Sequence, residues 1–136
     1  MYLVDTSVWV DYLRPAATPQ VQALRSLLAG DEVVGVAPII VQEILQGADS
    51  EERFEKWRKY FADLCCYTLA DPVASHVAAA RLYLACRRTG RTPRSSNDCL
   101  IAQIALEHGL VLLHSDRDFE AIAQAAPSLQ LYSVQS

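Results

Sequence analysis

Short apolar runs of strand length alternate with amphipathic segments of helix length along this chain, and that alternation restricts the fold more than any other feature. Tyr2-Leu3-Val4, Val33 to Ala37 and Leu110 to Leu113 are apolar at consecutive positions. Successive side chains of a strand point to opposite faces, so a strand apolar at every position needs cover on both sides. Such strands, each followed by a helical pattern, build a parallel sheet with helices on both faces. The expected fold class is therefore α/β, a three-layer α/β/α arrangement around a parallel sheet.

The helix signals fall between the runs. Thr6 or Ser7 can cap a helix carrying Val8, Trp9, Tyr12 and Leu13, stopped by Pro15. Thr18-Pro19 opens a second helix that Gly30 closes. Pro38 starts a third, running to Leu45 before Gly47, and Ser50 a fourth with Phe54, Trp57 and Phe61 as its apolar stripe. Cys65 to Leu69 reads as a strand, and Asp71-Pro72 opens a long helix. After the loop-like Thr89 to Ser96 segment, Ser95 or Ser96 caps a helix from Asn97 to His108 that Gly109 ends. Phe119 to Ala125 is a short helix and Leu129 to Val134 a last strand. At 136 residues, 51% hydrophobic and 21% charged, residues 1–136 are expected to form one domain with its own core. No apolar run reaches the ~18 residues of a transmembrane helix, and the N-terminus lacks a basic, signal-like opening, so a cytoplasmic chain without a membrane partner is expected.

Ligands of open α/β sheets bind beyond the carboxyl ends of the strands. Asp5 follows the first strand, Glu43 lies in the helix after the second, and Asp116 follows the Leu110–Leu113 strand. Asp98 stands in the first turn of the helix leading into that strand, on the side of Ile101, Ala102 and Ala105. An acid on an apolar stripe needs a partner. Each acid also has a plainer reading. Asp5 fits a helix cap, Asp98 a first-turn acid favoured by the helix dipole, and Glu43 a solvated face beside Gln42 and Gln46. Of Asp116 and Asp118, the first is nearer the strand end and is assigned to the site, the second to capping the short helix. If the acids converge, each pair ~5 Å apart repels by roughly 3 kcal/mol at an effective dielectric of ~20. Such a cluster holds protons or a cation, and an all-oxygen donor set selects Mg²⁺ or Mn²⁺ over zinc.

The net charge of −4 argues against sequence-blind coating of nucleic acid, but not against a local basic groove. Arg87, Arg88, Arg91 and Arg94 fall within eight residues and read either as a solvated helix end or as a phosphate-contacting patch. The four cysteines show no C-x-x-C spacing, which disfavours a zinc site and fits small hydrophobes in a reducing cytosol.

Four segments taken together resemble the PIN-domain nucleases, and among them the VapC-type toxins of toxin–antitoxin pairs. They are LVDTSVWVDYL at 3–13, VQEILQG at 41–47, SSNDCLIAQIALEHGL at 95–110 and LHSDRDFEAIA at 113–123. The resemblance implies a Mg²⁺- or Mn²⁺-dependent endoribonuclease acting on tRNA or rRNA at a single-stranded loop. It maps the family's acidic quartet onto Asp5, Glu43, Asp98 and Asp116, with Asp5, Asp98 and Asp116 as metal ligands. Thr6 and Asn97 then support those ligands or touch substrate, and Asp118 matches the second acid of the D-x-D-F pattern. Ser115 stands where relatives often carry Thr or Asn. The resemblance further implies a homodimer and a VapB-like antitoxin whose tail fills the acidic groove.

Two other classes are weighed. A phospho-accepting receiver-like module needs a lysine at a late strand end, and both lysines here, Lys56 and Lys59, lie in a predicted helix. A P-loop is excluded because no glycine-rich run precedes a lysine. The remaining alternative is a PIN fold without catalysis, acting as a binding or scaffold protein.

Overall fold

The computed structural model describes residues 1–134. Its elements are β1 (Tyr2–Val4), α1 (Thr6–Leu13), α2 (Pro19–Ala29), β2 (Val34–Val36), α3 (Pro38–Gln46), α4 (Glu51–Ala62), β3 (Cys65–Cys66), α5 (Pro72–Arg88), α6 (Ser96–His108), β4 (Val111–Leu113), α7 (Arg117–Ala125) and β5 (Gln130–Leu131). The strands form one sheet in the order β3-β2-β1-β4-β5, and all four pairings are parallel. Leu3 and Val4 on β1, and Leu112 and Leu113 on β4, are fully buried although they point to opposite faces. Both faces are therefore covered, as the apolar runs require. Helices α1 to α4 pack among themselves, and α5, α6 and α7 form a second set. No helix among the described residues is long and apolar enough to cross a membrane.

The strand order reverses direction at β1. The chain steps outward from β1 through β2 to β3, then crosses to the other side for β4 and β5. That reversal opens a crevice beyond the carboxyl ends of β1 and β4, where ligands of such sheets bind. The backbone N–H of Asp5 donates to the Leu113 carbonyl at 2.9 Å, so the two strand ends stay in register up to the crevice.

The ends of the elements depart from the sequence reading in three places. Asp5 takes the cap of α1 that its plainer reading gave it, in place of Thr6 or Ser7, because its carboxylate reaches the Ser7 N–H at 3.0 Å. Asp116, not Asp118, caps α7 by accepting from the Asp118 N–H at 2.9 Å. The outer strands are shorter than expected, Cys65–Cys66 in place of 65–69 and Gln130–Leu131 in place of 129–134. Each is an edge strand with a ladder partner on one side only; one further bond per edge remains, from Tyr67 N–H to the Val36 carbonyl and from Tyr132 N–H to the Leu112 carbonyl. Cys65 and Cys66 on this edge are exposed, which corrects their reading as small hydrophobes; Cys86 and Cys99 are buried. The other caps are as expected: Thr18 on α2, Ser50 on α4 and Ser95 on α6. Gly109 ends α6 at φ 63°, a left-handed cap that favours glycine.

Gly35, on the buried strand β2, has a different constraint. A Cβ there would lie 2.2 Å and 2.6 Å from the Tyr67 ring and 3.0 Å from the Cys65 carbonyl oxygen. Tyr67 is itself buried, so the ring cannot simply swing out. Gly35→Ala should overpack this edge and lower stability by about 1–3 kcal/mol. Chemical denaturation measures it; an unchanged midpoint would mean that the ring yields freely.

Candidate active site

Asp5, Thr6, Ser7, Glu43, Arg94, Ser95, Asp98, Asp116 and Asp118 line a cleft of about 330 Å³ at the crevice beyond β1 and β4. The tightest group within it is Asp98, Asp116 and Asp118, each offering a carboxylate oxygen within 4.8 Å of the others.

Asp98 is buried in the first turn of α6, held there by its place on the apolar side of that helix. Burial is the largest influence on its carboxyl, followed by the charges of Asp5, Asp116, Asp118 and Glu43, and together they push its pKa up to about 7. All of these influences raise it. A first-turn acid satisfied by its own hydrogen bonds would instead be lowered. Asp98 is thus an acid in need of a cation or a proton.

Asp5 is also buried. Burial raises its pKa and the Glu43 charge adds to the rise, while two hydrogen bonds from Ser7 oppose it. Those bonds run from the Ser7 N–H at 3.0 Å and the Ser7 hydroxyl at 2.6 Å, both to Oδ2. The same hydroxyl accepts from the Ser115 N–H at 3.1 Å, tying the β1–α1 turn to the β4–α7 turn. In the sequence Ser7 is one more polar residue at a helix start, and nothing in its spacing marks this role.

Glu43 is half-buried, with Oε1 accepting from the Thr6 hydroxyl at 2.7 Å. Its helical-wheel position suggests a solvated face; the contact between α1 and α3 encloses it instead. Thr6 is therefore the residue that aims Glu43. His114 is held by the Asp116 N–H, which donates to Nδ1 at 3.2 Å, so Nδ1 is an acceptor. Burial lowers the His114 pKa against the opposing pull of Asp5. Burial, the largest influence, favours the neutral imidazole.

Arg94 spans the mouth of the cleft. Its Nη2 donates to Asp116 Oδ1 at 3.0 Å, and its Nε and backbone N–H donate to Asp118 Oδ2 at 3.3 Å and 2.9 Å. Asp116 thus serves two purposes, as cap of α7 and as a cleft acid. Asp118, expected as the cap, is a full member of the carboxylate group. Asn97 is not brought in: it lines an adjoining cleft with His76 and Tyr83. Arg87 and Arg88 end α5, and neither lines the carboxylate cleft or the clefts that adjoin it.

Residues 2–125 match the family model described as the PIN domain. The chain belongs to the PIN domain family. It is similar to Ribonuclease VapC11 of Mycobacterium tuberculosis, 37% identical over 91% of this chain and 92% of that one. Ribonuclease VapC51 of the same species is 35% identical over 90% of this chain and 85% of that one. Among solved structures, VapBC2 from Rickettsia felis bound to a promoter DNA fragment superposes with a TM-score of 0.75 at 19% identity, covering 98% of both chains. DNA-bound VapBC from Salmonella typhimurium gives 0.73 at 18% identity over 96% of both. These structural likenesses carry the fold, the α/β class expected from the apolar runs.

The residues of this PIN domain fit a divalent cation on their own chemistry. The donor set is all carboxylate oxygen, and the charges of Asp5, Asp116, Asp118 and Glu43 all disfavour ionisation of its buried member. Oxygen-only sites suit Mg²⁺ and Mn²⁺.

Proposed function

We propose that this PIN domain is a metal-dependent endoribonuclease, the toxin of a toxin–antitoxin pair, cutting tRNA or rRNA at a single-stranded loop. The observation that carries the reading is the buried Asp98 carboxyl, pushed to about 7 and flanked by Asp116 and Asp118 within 4.8 Å. A chain 37% identical to a ribonuclease supports it independently. Asp98, Asp116 and Asp118 would hold Mg²⁺ or Mn²⁺, with Asp5 beside them behind the Ser7 bonds. Bound there, the cation supplies a lowered pKa for water and charge stabilisation at phosphorus.

The protein's own groups do the rest. Glu43, aimed by Thr6, faces the cleft as an acceptor for a water proton. Neutral His114 fixes the Asp116 backbone through Nδ1. Ser7 couples the two strand-end turns, so the acids keep their spacing when substrate loads. Unpaired bases of a loop can be splayed into an open cleft of this kind, whereas a duplex cannot. The natural partners in this reading are the RNA, a VapB-like antitoxin whose tail covers the acidic cleft, and a second copy of the chain. Val73, Val77 and Leu84 support the homodimer. They are spaced to share one face of α5 and are 73%, 50% and 43% exposed.

The experiment is direct. The purified chain is incubated with a panel of tRNAs and rRNA fragments in Mg²⁺, in Mn²⁺ and in EDTA. Cleavage at discrete loop positions with either cation, and none in EDTA, is expected. A folded chain that cuts no RNA in any cation would leave the scaffold reading standing instead.

A further inference from the structure

A second pocket, of about 340 Å³, abuts the carboxylate cleft and is lined by Gly90, Arg91, Thr92, Arg94, Arg117, Asp118 and Ala121. Arg94 and Asp118 line both, so they form the shared wall. The polarity changes sign across that wall. One side gathers acids; the other holds three arginines against one aspartate, in a chain whose net charge is −4. Asp118, the one carboxylate in this lining, is already bonded to Arg94 by two donors. Arg91 and Arg117 have no ion-pair partner among the described residues. Arg91 is nevertheless held in place, its Nη1 donating to the neutral Gln124 Oε1 at 2.7 Å, which fixes the guanidinium without cancelling its charge.

Two uncompensated guanidinium groups beside a polar pocket suit a phosphate, whose oxygens match their planar forks. We propose that the Arg91–Arg117 pocket is a subsite for one phosphodiester of the RNA, next to the one cut in the carboxylate cleft. This rests on the ribonuclease reading for the identity of the strand, and adds where that strand leaves the acids. It also divides the arginine run. Arg91 reaches the pocket, Arg94 forms its wall, and Arg87 and Arg88 lie outside it. Arg117, far along the sequence, completes it.

The test compares two variants of equal charge loss, Arg91→Gln with Arg117→Gln, and Arg87→Gln with Arg88→Gln. Binding of a 12-nucleotide single-stranded RNA is followed by fluorescence anisotropy in EDTA across a salt series. Losing one phosphate contact should reduce the slope of log K against log salt by about 0.7 for a single strand. That reduction is expected in the 91/117 variant, with the 87/88 variant at the wild-type slope. Equal changes in both variants, or none in the 91/117 variant, would overturn the subsite. Circular dichroism and melting of both variants confirm that they fold, and Arg117→Lys should restore the slope by returning the charge. Wild-type cleavage in Mn²⁺ is scored separately. A wild type that cuts RNA while the 91/117 slope stays unchanged refutes the pocket alone; a wild type that cuts nothing while the slope falls refutes the nuclease reading alone.

Discussion

Asp98→Asn is expected to eliminate metal-supported RNA cleavage while leaving the fold intact. Loss of an outer partner of a metal site typically costs about 10–100-fold. Asp98 sits inside the carboxylate group, so the loss should exceed that range and reach the assay background. The substitution keeps the shape of the side chain and removes its charge, so neither packing on α6 nor the helix start is disturbed. Cleavage at the wild-type rate in saturating Mg²⁺ or Mn²⁺ would remove Asp98 from the mechanism. A weaker effect than that of Asp5→Asn would shift the centre of the site toward β1. Asp5 has one carboxylate oxygen committed to Ser7, while everything acting on the Asp98 carboxyl raises its pKa.

The same substitution should raise the metal-free melting temperature, and the gain should depend on pH. A carboxyl whose pKa rises from 3.8 in the unfolded chain to about 7 in the native state binds protons more tightly when folded. Its favourable contribution is complete below pH ~4, and it is lost as pH rises through the unfolded value toward the folded one. Over that window the wild type forfeits at most about 4 kcal/mol, reduced by solvent screening at the open cleft. The Asp98→Asn variant has no carboxyl there and forfeits nothing. In EDTA, the variant and wild type should therefore melt together near pH ~4 and separate as pH approaches ~7, by an amount of order 10 °C for a chain of this size. Comparing the two proteins at each pH cancels the contribution of acids remote from Asp98, while the carboxylates that repel it belong to the measured difference. Mg²⁺ or Mn²⁺ should narrow the gap by stabilising the wild type, because a ligand that binds only the native state adds to its stability. A variant that melts well below wild type at neutral pH in EDTA would show that Asp98 is a structural acid, and the carboxylate group would lose its central member.

Both expectations concern a residue whose significance is legible in the sequence alone. Asp98 lies on the apolar stripe of its helix, and an acid in that position is either paired or functional. Other members of the site are legible only in part. Glu43 looks solvated by periodicity, because a wheel describes one helix and not the helix that packs against it; the α1–α3 contact turns it inward onto Thr6. The roles of Asp116 and Asp118 are legible only in part for a similar reason: Asp116 keeps its place in the site and also takes the cap, and Asp118 joins the carboxylates. Proximity to the strand end does not say which carboxylate caps the first turn of α7, and Asp116 does, accepting from the Asp118 N–H while still pairing with Arg94. Ser7 gives no sequence signal, since it acts on the Ser115 N–H, which the β1–β4 pairing brings close; His114 acts locally on the Asp116 N–H two residues on, through a turn conformation that no spacing announces.

What the sequence determined by itself is the class of fold and the end of the sheet to inspect. Strand-length runs apolar at every position can be stable only with cover on both faces, and that requirement is local and readable. Helix starts at Thr18, Ser50 and Ser95 are readable for the same reason, since a cap satisfies N–H groups two or three residues away. The tertiary structure decided the order of the strands, and with it which acids meet. Placing β1 between β2 and β4 brings Asp5, Asp98 and Asp116 from distant parts of the chain to one crevice, and puts Arg117 beside Arg91 across a shared wall from them. Those distances depend on packing between elements far apart in sequence, and no spacing along the chain encodes them.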